Sequence, residues 1–74
     1  MKLRFDTSIY LPTAIDKAIL DYQQIASIKA IRSGNHIVCE LSGCVYPEDI
    51  TQMEFSNYVL NLTVSMNGVI DDGL

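Results

Sequence analysis

The chain is predicted to fold as an α+β two-layer sandwich in the order strand-helix-strand-strand-helix, a three-stranded sheet with both helices on one face. Three observations predict it. Apolar and polar residues alternate over 2–6 and again over 36–41, apolar residues recur at helical spacing over 13–25, and a Gly-Asn pair separates two strand-like runs. At 74 residues the sequence reads as a single domain, 1–74, because two domains would each be too small to sustain a core. A hydrophobic content of 49% excludes a disordered tail or linker. The net charge of −4 argues against a nucleic-acid binder built on bulk charge.

The elements follow in order. Lys2-Leu3-Arg4-Phe5-Asp6 is a half-buried strand with Leu3 and Phe5 inward. Thr7 to Pro12 connects it to a helix over about 13–25, with Thr13 as N-cap and Asp16 in a capping-box relation to it. Ile15, Ala18, Ile19, Tyr22 and Ile25 form its apolar face, and Asp16, Lys17, Asp21 and Gln24 fill the other. Ser27 to Arg32 is the second strand, with Ile28 and Ala30 on one side and Lys29 and Ile31 on the other. Gly34-Asn35 suits a tight turn that needs positive φ. His36 to Leu41 follows with Ile37, Cys39 and Leu41 inward.

Asp49 and Gln52 stand at capping-box spacing, and Glu48 and Asp49 suit the positive end of a helix that runs to about Asn67, with Gly68 as its stop. Ile50, Met53, Phe55, Val59, Leu60, Leu62, Val64 and Met66 cover an arc of this helix wider than packing on a sheet requires. The surplus implies a second contact, with the first helix or with another chain. Val69-Ile70 is a candidate short strand, and 69–74 reads as a frayed tail. Two strand orders fit, with the third strand or the first in the middle. The former is favoured: a truncated ferredoxin-like unit lacking its last strand. It leaves the first strand as a bare edge, open to pairing with another copy unless Val69-Ile70 covers it.

No window approaches the roughly 18 consecutive apolar residues of a membrane span, and charges interrupt the N-terminal segment. No membrane association and a cytoplasmic location are therefore expected. His36, Cys39 and Cys44 are the strongest metal-ligand types, but His36 and Cys39 fall roughly 10 Å apart on opposite strand faces. Cys39 reads as a small buried hydrophobe and Cys44 as the more exposed thiol. As a general base His36 would need a partner acid, and Glu40, on the same face, lies about four residues along and out of reach. Glu48-Asp49 is explained by capping and Asp71-Asp72 by a solvated tail, and the four glycines are isolated, with no phosphate-binding loop. No catalytic, cofactor-binding or metal-binding residues are expected, and the chain reads as a non-enzyme.

What the pattern does offer is surface. Lys2, Arg4 and Lys29 should point to the uncovered sheet face beside His36, with Arg32 at the hairpin end. Ile31 and Val38 share that face, where apolar residues beside cations suit a protein contact. No outward position of the first or third strand is aromatic, so the base-stacking half of an RNA-binding sheet is missing and no nucleic acid is expected. Asn57 and Asn61 lie one turn apart on one helical face, able to hydrogen-bond each other or a neighbour, at some cost in helix propensity. The candidate interaction residues are therefore Lys2, Arg4, Ile31, Val38, Asn57 and Asn61, facing a protein partner or a second copy in a homo-oligomer such as a homodimer. The function expected is a non-enzymatic protein-interaction or accessory module. The alternative is a small-molecule-binding regulatory domain of ferredoxin-like type, its ligand near Thr7–Pro12 and the first helix's N-terminus, with Thr7, Ser8, Tyr10 and Thr13 as lining.

The segment from Glu54 to Ser65 resembles the helix of the HxsD-like proteins, small partners in His-Xaa-Ser peptide-modification systems. Phe55, Asn57 and Val59-Leu60 fit that family's pattern. Asn61 stands where it usually has an aspartate, and Val64-Ser65 where it has a leucine-arginine pair. Asp6-Thr7-Ser8-Ile9-Tyr10, with Ala14-Ile15 and Ala18, looks like the family's opening strand and helix. The resemblance implies an accessory protein working beside radical-SAM enzymes.

Overall fold

In the computed structural model, which describes residues 1–67, five elements follow in the predicted order. They are β1 (Lys2–Asp6), α1 (Pro12–Asp21), β2 (Ser27–Ser33), β3 (His36–Ser42) and α2 (Glu48–Asn67). The sheet order is β1-β3-β2, so β3 is central and both neighbours pair with it antiparallel. Of the two orders the sequence allows, this is the one with the third strand in the middle, and β1 is an edge. The expected stop at Gly68, the Val69-Ile70 strand and the 69–74 tail lie outside the described residues. None of the described helices is long and apolar enough to cross a membrane.

The register sorts side chains onto two faces. Leu3 and Ala30 flank Cys39, Phe5 flanks Ile37, and Ile28 flanks Leu41. This face meets both helices: Phe5, Ile37, Cys39 and Leu41 close one core with Ile15 and Ala18 of α1 and Phe55 and Val59 of α2. Phe55 is its pivot, meeting Phe5 and Tyr22 edge-on at centroid distances of 6.0 and 5.3 Å. Tyr10 closes the end of the cluster, 5.0 Å from Phe5 and also edge-on.

The hairpin turn is tighter in its demands than the Gly-Asn pair alone indicates. Gly34 has φ +59°, whereas Asn35 stays at negative φ, which is the pattern of a type II′ turn. Ser33 and His36 pair directly across it.

Both helix starts differ from the capping boxes read in the sequence. α1 begins at Pro12, after an extended Leu11 that has no side-chain cap, so Thr13 lies inside the helix. Proline suits this position because its φ is already helical and its missing N–H would have had no partner there. α2 starts at Glu48, which puts Asp49 inside the first turn. Pro47 precedes it, and its carbonyl accepts both the N–H and the Oγ1 hydroxyl of Thr51, each at 3.0 Å. Glu48 and Asp49 remain at the positive end of the helix dipole.

α1 also ends at Asp21, four residues before the predicted stop at 25. Tyr22 leaves the helix at φ −99° and ψ 2°. Its ring is held against Phe55 and Tyr58, and the Ile25 carbonyl is taken by the Val45 N–H at 2.8 Å. Tertiary contacts thus override the apolar periodicity that continues through Ile25.

Candidate interaction surfaces

α2 carries two apolar stripes. Thr51, Phe55, Val59 and Thr63 recur every fourth residue and are buried against the sheet and α1. At 100° per residue, Ile50, Met53, Asn57, Leu60 and Val64 lie on the opposite side, spaced alternately by three and four. The apolar members of that stripe are 45%, 60%, 41% and 63% exposed in chain order, and Asn57 and Asn61 are exposed with them. The core does not use this stripe. The surplus read in the sequence is therefore one continuous band along the helix.

α1 does not cover that band, because it meets α2 on a flank. Tyr58 donates its hydroxyl to Asp21 Oδ2 at 2.5 Å, and Lys17 Nζ lies 3.2 Å from the same oxygen. The Tyr58 hydroxyl, and Lys17 after it, hold the Asp21 carboxyl below its ordinary value, while the bond to Asp21 pushes the Tyr58 phenol up. Asn57 and Asn61, read as able to bond each other or a neighbour, make no side-chain hydrogen bond among the described residues.

The second surface is the open face of the sheet. Three cross-strand rows lie on it: Lys2–Glu40–Lys29, Arg4–Val38–Ile31 and Asp6–His36–Ser33. Glu40 faces a lysine on each side, an arrangement that favours pairing across the strands. Ile31 is 64% exposed, and Val38 is half-buried between it and Arg4. Lys2, Arg4, Ile31 and Val38 therefore do come together, whereas Asn57 and Asn61 stand on the far side of the molecule. The six candidates form two surfaces.

The acid beside His36 was missed in the sequence reading. It is Asp6, across the strands, and only the register reveals it. Asp6 Oδ1 accepts the Ser8 N–H at 2.9 Å and the Ser8 hydroxyl at 2.7 Å. The Ser8 backbone bond, then its hydroxyl, hold the Asp6 carboxyl low, with His36 a smaller contributor. This is an Asx-type turn closing the end of β1.

Cys39 and Cys44 are both free. Cys39 is fully buried, and burial pushes its thiol up to about 11. It points away from His36, since the two lie on opposite sheet faces. Cys44, read as the more exposed thiol, is half-buried and packs on the core, because the Val45–Ile25 bond draws its loop inward. With Ellman's reagent at pH 8, native protein is expected to show one accessible thiol, Cys44, with Cys39 reacting only on unfolding. Two equally fast thiols would contradict this placement of Cys39.

No family model matches this chain, and neither does any curated protein or solved structure. Function has to be read from the surfaces themselves.

Three of the four residues named for a ligand site, Thr7, Ser8 and Thr13, have their hydroxyls engaged within the chain. Thr7 Oγ1 donates to the Asn35 carbonyl at 3.0 Å, Ser8 binds Asp6, and Thr13 Oγ1 lies 3.8 Å from Met66 Sδ. A shallow groove of about 440 Å³ lies at the other end of the sheet, between Ile19, Leu20, Gln24, Ile28 and Gly43.

Proposed function

We propose that this chain is a non-enzymatic protein-interaction module, an accessory chain that self-associates or docks on a larger enzyme. The observation that carries the reading is the exposed apolar stripe of α2, which the core leaves unused. A band of large apolar side chains along one helix face marks a contact surface better than isolated exposed residues would. The cation-rimmed Ile31–Val38 patch on the open sheet face is a second such surface. The HxsD-like resemblance gives the reading its concrete form, a cytoplasmic accessory protein beside a radical-SAM peptide-modifying enzyme.

A second reading, a small-molecule-binding regulatory domain of ferredoxin-like type, draws on the groove at Ile19–Gly43, whose volume is within the range of ligand pockets. One experiment separates the two. The chain is co-expressed with a radical-SAM peptide-modifying enzyme of the same organism, and complexes are sized by light scattering; the chain alone is melted against a metabolite panel. The interaction reading expects a complex that is lost in Ile31→Glu or Val64→Glu while the fold, by circular dichroism, is kept. A metabolite that raises the melting temperature by several degrees, with both substitutions silent, would replace it with the regulatory reading.

A further inference from the structure

We infer that the outer stripe of α2 is occupied by α2 of a second copy, the two helices packing about a two-fold axis that passes beside Asn57. This rests on the interaction-module reading and names the partner of one of its surfaces.

Three features point to a second copy. The first is spacing. Ile50, Met53, Asn57, Leu60 and Val64 alternate by three and four, the repeat that lets two helices interlock knobs into holes.

The second is Asn57. It lies seven residues from Ile50 and seven from Val64, at the centre of the stripe. An axis there brings each Asn57 to its own image whichever way the helices run. An amide carries both donors and an acceptor, so two of them satisfy each other without any other side chain. An apolar partner would desolvate Asn57 and leave it unpaired.

The third is charge. No residue from Phe55 to Met66 is charged, so the C-terminal half of the stripe has no ionic recognition to offer. The acids of α2, Glu48, Asp49 and Glu54, all lie in its first two turns. An antiparallel pair keeps those of the two copies apart, which matters in a chain of net charge −4. The 20 residues of α2 span about 30 Å, and pairing along that length buries on the order of 1,000 Å² in total. That is the low end of specific interfaces, so the dimer is expected to dissociate in the micromolar range.

The test is sedimentation velocity of the full chain from about 1 to 200 µM. Wild type is expected to pass from monomer to dimer across that range. Leu60→Glu, and independently the more exposed Val64→Glu, should weaken the dimer about 100-fold or more while the circular dichroism spectrum is retained. Asn57→Leu should tighten association about tenfold or raise its order, because removing the polar pair gains stability and loses register. Ile31→Glu should leave the dimer unchanged. A wild-type monomer throughout the range overturns the inference, as does a dimer that survives both glutamates or is lost in Ile31→Glu. If wild type stays monomeric yet binds the co-expressed enzyme and Val64→Glu releases it, self-pairing falls and the interaction-module reading stands. If neither complex forms, both fall.

Discussion

Phe55→Ala is expected to unfold most of the protein at room temperature. Phe55 is fully buried, and its ring is the common partner of Phe5 from β1 and Tyr22 from the end of α1. Truncation removes the ring's burial and leaves a cavity where sheet and helices meet, a loss of about 3–5 kcal/mol for Phe→Ala in a core. A chain of 74 residues buries a smaller share of its surface than a larger domain, and its margin of stability is correspondingly thin. The cost is therefore comparable to the whole of that margin. Urea titration followed by far-ultraviolet circular dichroism reads it directly. Phe55→Leu, which keeps most of the volume, should lose far less and remain cooperative. A Phe55→Ala protein that melts within about 1 kcal/mol of wild type would mean that the cluster collapses around the gap, and that Phe55 is not its pivot.

Thr63→Val is expected to cost about 1–3 kcal/mol although it changes neither size nor shape. Thr63 is buried on α2, and its Oγ1 accepts the Leu11 N–H at 3.2 Å, joining residues 52 apart in sequence. Valine leaves that amide beside the core without a partner. Because no side chain caps α1, the loss should be felt first at its start. Hydrogen exchange is the informative measurement. Protection at Leu11 and the first turn of α1 should fall, with β3 little changed, and Thr63→Ser should restore it. Equal loss of protection across the chain would point to a general packing defect instead.

The element order and the inward residues of β1 and β3 were legible because period-two alternation survives in both strands without interruption, whereas the strand order was not, since that alternation fits the first or the third strand in the middle equally. The open-face cluster of Lys2, Arg4, Ile31 and Val38 followed from the same alternation. What failed was set by contacts distant in sequence. Thr13 satisfies the local rule for an N-cap, but α1 starts at Pro12, with Leu11 tied to Thr63 on the other helix. Ile25 continues a helical period, yet its carbonyl is bonded to Val45. Asp6 stands beside His36 only through the β1–β3 register, which no spacing along β3 could give. The breadth of the apolar arc on α2 was visible, but its division into two stripes needed Phe55 and Val59 assigned to the core first.

The edge strands of the sheet carry charges that oppose strand-to-strand aggregation. β2 is a seven-residue outer strand rich in β-branched and small residues, the kind of edge that recruits further strands. Lys29 projects from one of its faces and Arg32 from the other. A chain stacking in register at about 4.8 Å would bring like charges together on both sides at once. β1 is protected in the same way on one face by Lys2 and Arg4. Cations that look like a docking surface when the sheet is viewed face-on are, seen along its edges, gatekeepers against aggregation. Neutralising Lys29 and Arg32 would remove that guard from both faces of β2.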